Sequence, residues 1–190
     1  KNNKIAGVET DKGKIECEFI VLATGMWSRQ IAEKINVSVP LYPDEHFYIL
    51  TEPIDAIDKS LPVLRDYNHC LYIKEDAGKL LVGIFEPNAK PAFRDTNRVP
   101  DDFSFGEFPE DFDHFEPYLN HAIKRIPSLE KVGIRKFFSG PESFTPDTNY
   151  LLGETPEVKN FFVCCGFNSI GLASSGGAGK VTAEWMMNGG

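Results

Sequence analysis

The residues with the clearest chemical potential lie near the end of the chain, where an apolar run leads into a glycine-rich segment. The run Phe161–Cys165 is bounded by turn residues and is predicted to be a strand. Residues 166–180 are rich in glycine, and residues 181–187 have a helical pattern closed by Asn-Gly-Gly. Glycine lets backbone N–H groups approach a ligand, and the N-terminus of the following helix favours negative or electron-rich groups. Spacing alone leaves two interpretations open, a ligand-binding turn or close packing of small residues.

A second strand-to-helix turn lies near the start of the chain. Residues 19–22 form a continuous apolar run, which predicts a central strand covered on both faces. The run ends at Gly25, and Trp27 begins a segment with near-helical apolar spacing. This order is typical of a nucleotide-binding unit, but the G-x-G-x-x-G fingerprint that holds a pyrophosphate is absent from the sequence.

His46 is the histidine with the most informative position, at the start of a predicted strand over residues 46–51. A histidine here is either a hydrogen-bonded sheet residue or a titratable group that faces a substrate. The other three histidines, His69, His114 and His121, are predicted to be surface or packing residues.

The elements that must position these residues change in type along the chain. The middle region alternates short apolar runs with turns, which predicts an antiparallel sheet. A helix with one apolar stripe is expected from about residue 111 to 125, although it contains Pro117. The remaining segments are predicted as follows: strands at 61–66, 70–74, 79–85 and 131–139, a long loop at 87–108, and a rigid turn at 140–147.

This order predicts a mixed α+β or α/β fold. Residues 39–147 are expected to form an antiparallel-sheet domain with helices that binds the substrate. Residues 1–38 and 148–190 flank it and are expected to form two parts of one Rossmann-like cofactor domain.

Composition narrows the classes of partner and the compartment. The net charge is −8, the acidic residues are dispersed, and the sequence has no stripe of Lys and Arg. We therefore do not expect the protein to bind nucleic acid. There is no apolar run of membrane-spanning length and no signal peptide, so no membrane partner is expected. The four cysteines have no metal-ligand spacing and are predicted to be reduced, buried thiols. We expect a cytoplasmic protein, or a mitochondrial matrix protein if the source is eukaryotic.

Five segments in a fixed order cover most of the chain. They are V-L-A-T-G-M-W at 21–27, H-F-Y at 46–48 with Thr51, L-P-V-L-R-D at 61–66, G-P-E-S-F-T-P-D at 140–147, and G-F-N-S at 166–169 with Gly176 and Gly177. Together they resemble the FAD-dependent amine and amino-acid oxidoreductases of the D-amino-acid-oxidase superfamily, in particular its dimethylglycine and sarcosine dehydrogenase branch.

The resemblance implies that FAD in the full-length protein accepts a hydride from an N-methylated glycine. It implies that His46 lies near flavin and substrate, as the catalytic candidate, and that a folate or an electron acceptor is a possible further partner. It also implies that relatives carry a tyrosine where this chain has Phe85, and an arginine in many amino-acid oxidases where it has Glu142. The implied cofactor-binding residues are Gly25, Trp27, Gly166, Phe167, Asn168, Ser169, Ile170 and Gly171.

The resemblance also has departures. Because the G-x-G-x-x-G unit is absent, we expect the chain to be a fragment that is inactive alone. Segments 113–117 and 176–180 are similar to the pyruvate dehydrogenase phosphatase regulatory subunit, a relative regarded as a binding and regulatory protein. Two functions therefore stay open, a part of an FAD-dependent amine dehydrogenase and a non-catalytic regulatory protein of the same fold.

Overall fold

The structure is a computed structural model that describes residues 3–55 and 57–188. The chain divides into two compact units. The first unit comprises Lys1–Pro43, Phe93–Pro100 and Glu142–Gly190, and the second comprises Asp44–Ala92 and Asp101–Pro141. The assignment of cofactor and substrate roles to residues 1–38, 148–190 and 39–147 stays a prediction.

The first unit contains a hairpin and a three-stranded sheet. The hairpin joins β1 (Gly7–Thr10) and β2 (Gly13–Glu16). The sheet has the order β10 (Leu151–Glu154), β11 (Phe161–Cys165), β3 (Ile20–Leu22). β11 and β3 are parallel, whereas β10 and β11 are antiparallel. A parallel pair from distant parts of the sequence fits the nucleotide-type units that the sequence predicts.

Two helices complete the first unit. A 3₁₀ turn at Gly25–Trp27 leads into α1 (Ser28–Glu33), and the turn after β11 leads into α3 (Gly171–Asn188). The apolar core of this unit is formed by Leu22, Ala32, Val37, Val39, Leu41, Val158, Phe161 and Cys165.

Two local predictions for this unit are wrong. β3 lies at the edge of the sheet and Val21 is 39% exposed, so the strand is not covered on both faces. α3 begins at Gly171, well before residue 181, and its first turn closes through Ser174 N–H to the Ile170 carbonyl. Glycine weakens a helix by about 1 kcal/mol per residue relative to alanine. The glycine-rich residues before 181 therefore do not read as helix in the sequence.

The second unit is built on a six-stranded sheet. The order is β5 (Leu64–Asp66), β6 (Leu71–Asp76), β7 (Lys79–Ile84), β4 (Tyr42–Thr51), β8 (Lys90–Pro91), and β9 (Ile134–Phe144) also pairs with β4. The β5–β6, β6–β7, β7–β4 and β4–β8 pairs are antiparallel. β9 continues to Phe144, so the turn predicted from residue 140 begins too early.

One face of this sheet packs against α2 (Phe112–Arg125). Asp111 caps α2, since its side chain accepts a hydrogen bond from the His114 N–H at 2.9 Å. Burial alternates along β4, where Phe47 and Ile49 are buried in the core with Phe115 of α2. His46 and Tyr48 therefore point to the opposite face of the sheet.

No helix in residues 3–55 and 57–188 has the length and apolar content needed to span a membrane.

Candidate cofactor and substrate sites

A cavity of about 690 Å³ lies in the first unit. It is bordered by the carboxyl ends of β3 and β11, by the turn that follows β11, and by α3. Its walls are formed by Val21, Ala23, Gly25, Glu142, Ser143, Cys164, Cys165, Gly166, Phe167, Asn168, Ser169, Gly171, Leu172, Ser175, Ala178, Gly179, Thr182, Ala183 and Met186. The volume and the largely apolar lining are those of a small-molecule site, which occurs at the carboxyl end of parallel strands in sheets of this type.

Asn168 fixes the shape of the turn between β11 and α3. Its Oδ1 accepts a hydrogen bond from the Thr145 N–H at 2.9 Å, and its Nδ2 donates to the Gly166 carbonyl at 2.7 Å. Gly166, Asn168 and Ser169 all have positive φ, at 67°, 49° and 72°. A Cβ on Gly166 would lie 2.6 Å from Thr145 Cγ2, so only glycine fits there. The turn is held in one conformation before any ligand arrives.

Two kinds of titratable group line the cavity. Burial raises the pKa of the Glu142 carboxyl, and a hydrogen bond from Ser169 partly opposes this shift. Burial also raises the pKa of the Cys165 thiol to about 11. Cys165 is buried, whereas Cys17, Cys70 and Cys164 are only partly buried, and all four are free. A protonated thiol is a poor nucleophile, so Cys165 serves packing.

Most of the predicted cofactor residues come together at this cavity. Gly25 lines it from the end of β3, and Gly166, Phe167, Asn168, Ser169 and Gly171 line it from the turn. Trp27 is half-buried and Ile170 is 49% exposed, and neither is among the lining residues. The roles of all eight residues stay predictions.

Sequence reasoning missed the contribution of α3 to the cavity. Ser175, Ala178, Gly179 and Thr182 present small side chains to it. Their helical spacing is a signal for a helix, but the glycines at 176, 177 and 179 favour a turn in the sequence.

The cavity fits a flavin ring system. Its walls include Val21, Leu172 and Met186, which suit a flat apolar ring. The first N–H groups of α3 have no acceptor within the helix, and they lie at the turn where Gly171 borders the cavity. N–H groups at a helix N-terminus favour negative charge, as a reduced flavin carries.

His46 belongs to a different cluster, on the second unit. Its Nε2 lies 2.9 Å from the Tyr72 hydroxyl, and the two rings are stacked with centroids 5.8 Å apart. The Phe85 ring lies 4.8 Å from the His46 ring, measured between centroids. Burial, with a smaller effect of the Arg65 charge, lowers the pKa of His46 to about 4. The imidazole is therefore neutral at physiological pH, and one of its ring nitrogens carries a lone pair that can accept a hydrogen bond.

Strand register explains how this cluster is assembled. Arg65 of β5 pairs with Tyr72 of β6, Tyr72 with Gly83 of β7, and Gly83 with Tyr48 of β4. Directly paired residues share a face, so these four positions form one row beside His46. A Cβ on Gly83 would lie 2.1 Å from the Tyr72 ring, which shows that this ring covers the glycine.

Tyr72 was not identified from the sequence. The alternation at residues 70–74 placed it opposite to the buried Leu71 and Ile73. Its pairing with His46 depends on the register of three strands, which local patterns do not reveal. We call the set Arg65, Tyr72, Phe85, His46 and Tyr48 the aromatic face.

The remaining histidines have other partners. His114 Nε2 lies 2.8 Å from Oε1 of the buried Glu86, and its ring packs 5.1 Å from Phe47. His69 Nδ1 lies 3.0 Å from Asp66 Oδ2, and its ring packs 4.4 Å from His121. In the described part of the chain, no group of three or more His, Cys, Asp or Glu side chains could hold a metal ion.

Residues 1–185 match the family described as DAO, FAD dependent oxidoreductase. The chain therefore belongs to the FAD dependent oxidoreductase family, which confirms the superfamily resemblance seen in the sequence. FAD is the cofactor of this family.

Three curated relatives are similar over nearly the whole chain. 4-Methylaminobutanoate oxidase (formaldehyde-forming) of Paenarthrobacter nicotinovorans is 42% identical over 97% of this chain. The mitochondrial pyruvate dehydrogenase phosphatase regulatory subunit of Mus musculus is 41% identical over 100%. Mitochondrial sarcosine dehydrogenase of Mus musculus is 40% identical over 98%. The chain spans about a fifth of the length of these relatives, 22%, 22% and 20% respectively.

The fold has counterparts among solved structures. L-proline dehydrogenase from P. horikoshii matches with a TM-score of 0.78 and 24% identity, over 100% of this chain and 48% of that one. This likeness and the observed elements confirm the predicted mixed architecture of antiparallel sheets with few helices.

Proposed function

We propose that this chain is part of an FAD-dependent oxidoreductase that oxidises the C–N bond of a small N-methylated amino acid. The observation that carries the proposal is the neutral His46 held against Tyr72 on the aromatic face. The names of two relatives, an oxidase of 4-methylaminobutanoate and a dehydrogenase of sarcosine, support an N-methyl amino acid as the substrate class.

The chemistry divides between cofactor and protein. When bound, FAD supplies the hydride acceptor. The substrate gives up a hydride from a carbon next to nitrogen, its nitrogen lone pair forms the C=N bond of an iminium, and water then releases the aldehyde. The amine must be neutral to do this, and the neutral His46 can accept a hydrogen bond from the N–H of an amine that has lost its extra proton to solvent. The rings of Tyr72 and Phe85 suit the methyl groups of a methylated amine.

The first unit is proposed to hold the flavin. The turn formed by Gly166, Phe167, Asn168 and Ser169 would direct N–H groups toward the part of the ring that becomes negative on reduction. Glu142 is proposed to shape this turn through its hydrogen bond with Ser169. Ile170, Gly171, Gly25 and Trp27 stay proposed contacts of the cofactor.

The aromatic face carries a hydroxyl group although Phe85 has none. The resemblance places a tyrosine at this position in relatives, but Tyr72 supplies a hydroxyl 2.9 Å from His46 Nε2. A hydrogen bond of this length can orient the imidazole and select its tautomer. The catalytic proposal is therefore compatible with Phe85.

A non-catalytic regulatory role is the second candidate. It is favoured by the 41% identity to the pyruvate dehydrogenase phosphatase regulatory subunit. The two candidates share the fold, so the fold cannot distinguish them. Reduction of bound flavin by an amine, and its dependence on the aromatic face, can distinguish them.

The deciding experiment uses the full-length protein. Its visible absorption is recorded as purified, and sarcosine, dimethylglycine or 4-methylaminobutanoate is then added without oxygen. We expect a flavin spectrum that bleaches, and we expect His46→Gln to slow bleaching by about 100-fold or more. Tyr118→Phe is the control, because Tyr118 lies on α2 and packs on the opposite face of the sheet. The flavin of this variant should bleach at the normal rate. A bound flavin that no amine bleaches would favour the regulatory candidate, and absence of flavin would remove the cofactor assignments.

Compartment and further partners are proposed from the relatives alone. Sarcosine dehydrogenase is named as mitochondrial, so we propose the mitochondrial matrix if the source is eukaryotic and the cytoplasm otherwise. A folate or a protein electron acceptor is proposed as a partner of the full-length protein.

A further inference from the structure

Arg65 is the charged member of the aromatic face. Its guanidinium carbon lies 4.8 Å from the centroid of the Phe85 ring, 5.7 Å from that of Tyr72 and 5.9 Å from that of Tyr67. Three rings around one guanidinium hold its plane through cation–π contacts. The side chain is thus positioned although the residue is exposed to solvent.

The guanidinium has no acidic partner among the described residues. Asp66, the next residue along the chain, is engaged elsewhere: its Oδ1 accepts a hydrogen bond from the His69 N–H, and its Oδ2 lies 3.0 Å from His69 Nδ1. Arg135, another arginine of the second unit, differs in that its side chain is 58% exposed and its Nη1 lies 3.7 Å from Glu52 Oε2. Arg65 therefore keeps a donor edge that matches the two oxygens of a carboxylate.

Strand register directs Arg65 to the face that carries His46. Arg65 is paired with Tyr72, whose hydroxyl lies 2.9 Å from His46 Nε2. Rings that suit a methylated amine, a neutral imidazole and an unpaired guanidinium thus occur on one surface. A small amino acid has the matching groups, an amine at one end and a carboxylate at the other.

The geometry points to Arg65 as the residue that binds the carboxylate of the substrate. This inference rests on the proposed function, because it takes the aromatic face as the substrate site. It goes further in placing the carboxylate contact on β5, at Arg65. The turn at Glu142, where amino-acid oxidases often carry an arginine, then has no part in holding the carboxylate.

The test measures ligand binding without turnover. Methoxyacetate keeps the shape and carboxylate of sarcosine but has an ether oxygen in place of the amine, and 2-methoxyacetamide is its uncharged counterpart. Both are titrated by calorimetry into the full-length protein. Wild type should prefer methoxyacetate by about 30-fold or more, as expected for a charge-assisted pair. R65Q should reduce this preference to about 3-fold or less.

Two further variants keep the result interpretable. R65K retains charge and stem but lacks the fork of donors, so its preference should fall between those of wild type and R65Q. R135Q changes an exposed arginine of the same unit and should keep the wild-type preference. A wild type that binds neither ligand, or an R65Q that prefers methoxyacetate as strongly as wild type, overturns the inference.

The outcome is separable from that of the proposed function. A flavin that no amine bleaches, together with an Arg65-dependent preference for methoxyacetate, would refute amine oxidation and leave the carboxylate site in place. Amine oxidation together with an unchanged preference for methoxyacetate in R65Q would support the proposed function and refute the carboxylate site at Arg65.

Discussion

His46 shows how one residue acquires its chemistry from its surroundings. In water a histidine is largely neutral at pH 7 but becomes charged just below it, whereas burial lowers the pKa of His46 to about 4. The Tyr72 hydroxyl gives the neutral ring a hydrogen-bond partner. The neutral ring is a weak base at physiological pH, so it can accept a hydrogen bond from an uncharged amine but does not keep that amine's proton.

This lowered pKa predicts a pH dependence of stability. The unfolded chain binds a proton on His46 near pH 6.5, while the folded chain does so only near pH 4. Protonation of the unfolded chain therefore lowers the free energy of unfolding as the pH falls from 6.5 to 4. The total loss is about 3 kcal/mol at most, and above pH 6.5 there is no loss. Urea unfolding of wild type and His46→Gln at several pH values checks this. Their difference in unfolding free energy should change only in that interval, and a constant difference would contradict the prediction.

At the scale of an element, the turn between β11 and α3 depends on Asn168. Asn168→Gly removes the side-chain hydrogen bonds to the Thr145 N–H, the Thr145 hydroxyl and the Gly166 carbonyl. Glycine tolerates a φ of 49°, and we expect a loss of about 2 kcal/mol in the free energy of unfolding. Asn168→Ala also strains the backbone and should lose about 1 kcal/mol more. Thermal unfolding of the two variants separates the contributions. Equal losses would show that the φ value carries no strain.

The ring of Tyr72 over Gly83 gives a second prediction for an element. Gly83→Ala places a methyl group where the ring now lies, so the ring must move away from His46. We expect a loss of about 1–3 kcal/mol in the free energy of unfolding. Gly140→Ala is the matched control, because Gly140 also lies in a strand and a Cβ there meets no atom within 4 Å. If both variants lost the same amount, crowding at Tyr72 would not be the cause.

The elements also show what sequence patterns can and cannot predict. The strand over residues 46–51 could be predicted from its apolar residues, and the structure adds that Phe47 lies in the core and His46 on the other face. The start of α3 was not readable, because glycine has a low helix propensity and Gly171, Gly176, Gly177 and Gly179 lie in the first half of the helix. The contact between His46 and Tyr72 was hidden for a different reason, since pairing between strands sets it.

At the scale of the whole molecule, exposed apolar residues concentrate on α3. Val181 is 48% and Met187 is 84% exposed. Exposed apolar side chains bind hydrophobic dyes and promote association. We expect the double variant Val181→Gln and Met187→Gln to lower dye fluorescence of the 190-residue chain while its unfolding free energy stays within about 0.5 kcal/mol. Val63→Gln, an exposed position on the second unit, should leave the fluorescence nearly unchanged.

The interleaved order of the two units has a consequence for synthesis on the ribosome. The second unit is complete once residue 141 has emerged, whereas the first unit needs residues up to α3. β3 must wait for β11, its parallel partner, which follows about 140 residues later. At a translation rate of about 5–20 residues per second, the delay is roughly 7–28 s. A nascent chain arrested when residue 141 has just emerged from the ribosome should therefore carry a protease-resistant second unit, while the residues around β3 are still cleaved.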